Sequence, residues 1–333
     1  MSGIRHLIIA HAAPPAHLSP APDIPALPAL QRWLTSATET AIHAGDVLSL
    51  TPPHEHAMAR ALGWPVVDGR LPWAAWHSGR TEVACAWLWP CHWQASLDHL
   101  TIIPAQALDL HPEEAAALRQ AFAEFAAQDG VTLQGDDPLR WHAEGDLFDG
   151  WTCASIDRVA HRRPDAWWRD AGNDPAARAL LRLLNEAQML FHDHPVNAAR
   201  VRRGALPING LWVSGAGRWS GEGPPPNAAA VRCDETLLRA ALLGDGSAWQ
   251  AGWERIDQQW IVPYWENALR DGQPHWLTLC GERGWRCWRL DPSAPASPPP
   301  RMGWRERWRR WCRATSSAPN GTSGMAIDWW SGL

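Results

Sequence analysis

Apolar and polar positions along this chain repeat with two periods, and the switches between them outline the elements. IRHLIIAHA, residues 4–12, is an apolar run of strand length. LPALQRWLTSATETAIHAG, 27–45, has helical spacing, and DVLSL, 46–50, reads as the next strand. A short helix after residue 54, a turn at Asp68-Gly69 and two strands around Trp87 and Leu100 follow. PEEAAALRQAFAEFAAQDG, 112–130, is the clearest helix, with Pro112 in its first turn, acids beside it and Gly130 beyond its end. A second helix is predicted from Asp174 to Phe191, capped by Asp174 and burying Leu180, Leu184, Ala187 and Phe191 on one side; Pro195 stops it. Residues 207–217 read as a strand and a glycine turn, 234–243 and 247–258 as short helices, and HWLTLCGERGWRCWRL, 275–290, as a hairpin across Gly284.

This alternation predicts an α/β fold, with a central, mostly parallel sheet flanked by helices. A single large domain is expected over 1–292, with room for an inserted subdomain at about 105–190. SAPASPPP, 293–300, is a linker by composition, and 301–333 is an appended tail.

Composition narrows the chemistry. The chain has 333 residues, 46% of them hydrophobic and 20% charged, which is ample for a core without staples. Lysine is absent, so Schiff-base, P-loop and kinase-type lysine chemistry are excluded. A net charge of −5 argues against a general nucleic-acid binder. The seven Cys include no CxxC pair, which favours free thiols over a zinc knuckle or a disulfide framework. The N-terminal run reads as a first strand rather than a leader, and no apolar stretch is long enough to span a bilayer. The expectation is a cytoplasmic protein. The 25 Trp are scattered, which suits large core side chains better than a stacking surface.

The stretch HPVNAARVRRGALPINGLWVSGAG, 194–217, resembles the His-Pro-x-Asn, basic turn, Pro-x-Asn, apolar strand and Gly-x-Gly pattern of archaeal-type cofactor-independent phosphoglycerate mutases. Those enzymes belong to the alkaline phosphatase superfamily, so the resemblance implies an alkaline-phosphatase-like sheet. Over most of 25–283 the chain is also similar to bacterial regulatory proteins of the pathogenicity-factor E type. LPALQRWL, PHEHAMARALG, DGRLPWAAW, PCHWQASLDHLTII, LLRLLNEAQMLFHDHPVN, ALPINGLWVSGAG and LTLCGER carry that similarity. Two-metal phosphoryl transfer needs an Asp at the end of the first strand and late Asp/His pairs. This chain has Ala10-His11 at the first place and only His275 after residue 217. The expectation is therefore a regulatory or ligand-binding protein on a mutase-like fold, with no cofactor required.

The candidate ligand-binding residues are Asn197, Asn209, Gly215 and Gly217, whose amides and backbone N–H groups suit an anion, with Arg158, Arg200 and Arg203 as bidentate partners. The alternative role of these Asn and Gly residues is to satisfy and permit turns. His192 and His194 are spaced to face one metal on an extended segment, or to cap a helix end. Asp157 and Glu186 are the carboxylates considered for acid–base work. A metal-dependent phosphotransferase would need a cluster drawn from His11, His54, His56, His92, His99, His192 and His194. Ser214 lacks the glycine of a nucleophile elbow, and the adjacent Cys91 and His92 point to opposite faces of a strand. In 301–315, Trp304, Trp308 and Trp311 share a helical face opposite arginines. That face suits packing on the domain, or docking on nucleic acid, anionic lipid or an acidic partner.

Overall fold

A computed structural model describes residues 3–14, 16–18, 20–46, 48–96, 99–164, 167, 174–221 and 230–294. The described chain divides into two compact units, one from 3–46, 230–241 and 245–294, the other from 48–221 and 242–244. Where the sequence reading places an insertion at about 105–190, the second unit takes in everything described from 48 to 221. The tail 301–333 and most of the linker lie outside the described residues.

The first unit is a five-stranded mixed sheet. β1 (His6–Ile9) runs parallel to β8 (Val231–Asp234) and β9 (His275–Cys280), with His6 opposite Val231 and Trp276. β10 (Gly284–Leu290) pairs antiparallel with β9 and with the edge strand β2 (Thr38–Ala44). The expectation of a mostly parallel sheet is corrected here. The short 281–283 turn reverses the chain between β9 and β10, and parallel pairing needs a long crossover.

The predicted helix over 27–45 also splits. α1 (Pro28–Ser36) ends at Ala37, which is extended, and Thr38–Ala44 becomes strand; the described residues of DVLSL, Asp46 and 48–50, are not strand. Thr38, Thr40 and Ile42 are β-branched, and burial along β2 alternates with period two, which an edge strand accommodates and a helix does not. α9 (Gly246–Ile256) is capped by Asp245. It continues through a π-helical turn, Asp257–Ile261, into α10 (Val262–Asp271), which periodicity did not reveal. Asp257 on that turn accepts the backbone N–H groups of Leu30 (2.7 Å) and Ala29 (3.1 Å), so it caps α1 from a distant helix. α8 (Thr236–Leu243) supplies Leu237 and Ala240 to the core.

Tryptophan dominates that core. Trp33 stacks on Tyr264 with ring centroids 5.1 Å apart, and Trp249 and Trp253 are fully buried. Their indole N–H groups donate to the carbonyls of His11 (2.9 Å) and Ala12 (3.2 Å), which satisfies the one polar atom of each ring.

The second unit is built on a wholly antiparallel sheet. Its long central strand β3 (Ala84–Ala95) pairs with β4 (Leu100–Pro104) and β6 (Trp141–Glu144) along one edge and with β7 (Gly210–Arg218) along the other. β5 (Thr132–Gln134) extends it beyond β6. α4 (Pro112–Ala126) and α6 (Pro175–His192) start and bury the faces the sequence predicts, and both pack into the second core through Leu118, Phe122, Leu180, Leu184 and Phe191. α7 (Pro195–Arg202) follows where sequence reading had only a basic turn. α2 (Pro53–Ala61), α3 (Trp73–Ser78) and the single turn α5 (Ile156–Val159) complete the unit. Among the described residues no helix is long and apolar enough to cross a membrane, and six Cys are free thiols.

Candidate functional site

The mutase-like stretch is held by its own polar groups. The Asn197 amide donates to the carbonyls of Phe191 (2.7 Å) and Ile208 (2.6 Å) and accepts from Ile208 N–H (2.8 Å), tying the end of α6 to the approach of β7. Asn209 accepts from Trp93 N–H (2.7 Å) and donates to Trp93 C=O (3.1 Å), so its side chain replaces a rung of the β3 ladder. Arg200, fully buried, donates to the carbonyls of Leu206, Asp109 and Leu108 and to Glu114. Arg203 pairs with the other side of Glu114. Burial would raise the Glu114 carboxyl, but bonds from Arg203, the His111 N–H and Arg200 hold it down to about 2. Gly217 is in register with Cys85, and Gly215 lies in the irregularity of that ladder at φ +61, where an added Cβ would come within 3.0 Å of Trp87. These groups hold the fold together at this point.

The proposed histidine ligands are dispersed in role. His192 is exposed on the last turn of α6, and His194 Nδ1 accepts Val196 N–H at 3.3 Å as the cap of α7. His92 Nδ1 lies 2.8 Å from the Pro207 carbonyl, His99 precedes β4, and His56 sits half-buried on α2. His11 follows β1 in the first unit. Glu186 forms a long ion pair with Arg182 (3.9 Å) on α6.

Arg158 and Asp157 fall instead into a buried polar centre formed by α2 and α5. Asp68 accepts the N–H groups of Leu50 (3.1 Å) and Thr51 (2.8 Å), and Thr51 Oγ1 accepts Gly69 N–H (2.8 Å), which fixes the entry to α2. Trp212 on β7 donates to Ala154 C=O (2.8 Å) and so positions Ser155 at the start of α5. Between them, the Glu55 carboxyl accepts Trp73 Nε1–H (2.9 Å) and the Ser155 hydroxyl. Arg158 Nη2 donates to Thr51 C=O (3.1 Å), and His54 Nδ1 stands 3.8 Å from Asp157 Oδ2. The residue Glu55 is half-buried but its carboxyl is turned inward. Burial, then the charge of Asp157, pushes it up to about 8 against the bonds from Ser155 and Trp73 and the charge of Arg158. Two carboxyls in unlike surroundings beside an imidazole provide a proton donor at neutral pH, and His54 with Asp157 offers two of the ligands a divalent metal needs. Ser155 and Trp73 were not singled out from sequence; a lone Ser before a four-residue helix carries no chemical signature.

A second feature is an open cleft of about 380 Å³ between the end of α3, strands β3 and β6 and the 135–140 turn. Its lining includes Arg80, Trp87, Asp136, Asp137, Arg140, His142 and Glu144. Arg80 pairs with Glu144 (3.3 Å), Arg140 Nε lies 3.8 Å from Asp137, and the Arg140 guanidinium rests 4.5 Å from the Trp87 ring centre. Burial lowers the His142 pKa, so that imidazole is neutral at pH 7. Sequence reading named none of these residues as a site, because they come from four separate segments.

No protein-family model matches the chain, nor does any curated protein. Two solved structures are similar in shape. A cofactor-independent phosphoglycerate mutase from Thermoplasma acidophilum DSM 1728 is 15% identical, with a TM-score of 0.35 over 89% of this chain and 92% of that one. The PH0037 protein from Pyrococcus horikoshii is 14% identical, with a TM-score of 0.47 over 93% of each chain. Both likenesses are weak, and nothing in the comparisons bears on the pathogenicity-factor E regulators.

Proposed function

We propose that this is a cytoplasmic ligand-binding protein of regulatory type, working through the cleft of its second unit, rather than a two-metal phosphotransferase. The cleft carries the reading: polar side chains of both signs converge on a concave space of the size that small-molecule sites occupy. At 194–217, where the sequence suggests an anion site, the side chains of Asn197, Asn209 and Arg200 bond to the chain itself. Equilibrium dialysis of the protein against small polar molecules (nucleosides, sugars, amino acids) tests it. The expected result is saturable binding of one class that Arg140→Ala weakens; retention of none overturns the reading.

The His54–Asp157 pair favours a second reading, a metal-dependent phosphotransferase. Elemental analysis with a phosphoglycerate mutase assay in added manganese decides it. Tightly bound metal with turnover would establish the enzyme, and neither would remove it. A nucleic-acid role through 301–315 rests on residues outside those described.

A further inference from the structure

The identity of the ligand can be narrowed from the cleft itself, an inference that rests on the ligand-binding reading above. Trp87 is not an open platform. Arg140 covers one side of its ring, and Gly215 approaches the ring so closely that a Cβ would meet it at 3.0 Å. A sugar, which needs a bare aromatic face, has no seat there. Arg140 itself lines the cleft, with its guanidinium carbon 4.5 Å from the Trp87 ring centre and 5.7 Å from that of Trp89. A guanidinium fixed over an indole and lining a cleft can serve as a shelf for a planar ring.

Around Arg140 the lining mixes side chains that can donate, His77, Ser78, Arg80, Gln134 and His142, with the acceptor-only carboxylates of Asp136, Asp137 and Glu144. Asp137 stands beside Arg140, and the exposed Asp136 has no hydrogen bond or ion pair among the described residues. Three carboxylates, Asp136, Asp137 and Glu144, face two guanidinium groups, Arg80 and Arg140, with His142 neutral at pH 7. Arg80 is engaged by Glu144. A phosphate would therefore meet net negative charge and no uncommitted arginine. What suits the cleft is a neutral, planar ligand with a donor edge.

We propose that the cleft binds an unphosphorylated purine, as base or nucleoside, stacked on Arg140 and read through its donor edge by Asp136 or Asp137. The N1–H and amino group of guanine present two parallel donors, the pattern that a carboxylate accepts with both oxygens. No bond is made or broken in this step.

Isothermal titration of the full chain with guanosine, adenosine, GMP and glucose tests the assignment. Guanosine is expected to bind saturably, with adenosine and GMP weaker by about tenfold or more. Arg140→Leu and the double variant Asp136→Asn/Asp137→Asn should each weaken guanosine by a similar factor, with unchanged circular dichroism showing that both remain folded. Equal affinity for guanosine and GMP would overturn the inference, as would unaltered binding in either variant. Glucose binding in place of guanosine would overturn it and leave the ligand-binding reading standing; binding of none, here and in the wider dialysis set, sinks both.

Discussion

Arg200 and Glu114 form a pair in which Nη1 of the arginine donates to Oε2 of the glutamate at 2.5 Å, with the arginine side chain wholly removed from solvent. The same guanidinium also holds three main-chain carbonyls, so its charge is matched on every side. Replacing it leaves these buried carbonyls without the arginine donor, and Glu114 with Arg203 and the His111 N–H alone. Arg200→Leu is expected to cost about 3–5 kcal/mol of stability, read as a lowered urea midpoint. Arg200→Lys should recover little, since one ammonium cannot reproduce the fork. A change below about 1 kcal/mol would show the network to be dispensable.

Glu55 predicts an unusual pH dependence. Its carboxyl is held at about 8 in the folded protein against 4.5 ordinarily, so the folded state binds the extra proton between those values. Stability contributed by this group is complete below about pH 4.5, declines as pH rises, and is gone above about pH 8. Glu55→Gln, which stays neutral, should remove that decline. The stability difference between variant and wild type, measured by urea unfolding from pH 5 to pH 9, is expected to move in favour of the variant as pH rises. Parallel curves would place the Glu55 proton elsewhere.

The first unit carries the opposite trend. His6 is half-buried, with Nε2 2.7 Å from Thr278 Oγ1, and the burial of its ring lowers its pKa from 6.5 to about 4. Between those values the unfolded chain binds the proton and the folded one does not, so stability falls as pH drops from 6.5 towards 4. His6→Gln should flatten that limb; an unchanged acid limb would count against it.

Gly215 has both a positive φ and a ring against its Cα. Gly215→Ala should destabilise by roughly 1–3 kcal/mol, from strain and from displacing Trp87. Thermal melting of the variant checks this, and an unshifted midpoint would mean that the ring gives way freely.

Local signals in the sequence were sufficient where local physics decides the structure. The start of α4, the cap and buried stripe of α6 and the β9–β10 hairpin all follow from capping residues and periodicity. They were insufficient where a distant partner decides. Residues 38–44 become strand because β10 offers an edge, and α1 begins where Asp257 can cap it. The same limit applies to sites. Arg200 and Asn197 have the residue types of anion ligands, but Glu114 lies 86 residues from Arg200, and no spacing rule reveals that it occupies the guanidinium. The Glu55 centre unites α2, α3 and α5, whose residues were visible separately and not as a group.

The parallel pairing of His6 with Val231 has a consequence for the order of assembly. During synthesis β1 and β2 are made before all the strands of the second sheet, and β8, β9 and β10 after them. The second sheet, with all its strands in one continuous stretch, is available to close before β8 and β9 are made, while β1 waits for those two partners. Nascent β1 is therefore the segment most in need of a chaperone, and truncations after residue 221 should leave it, rather than the second unit, prone to aggregation.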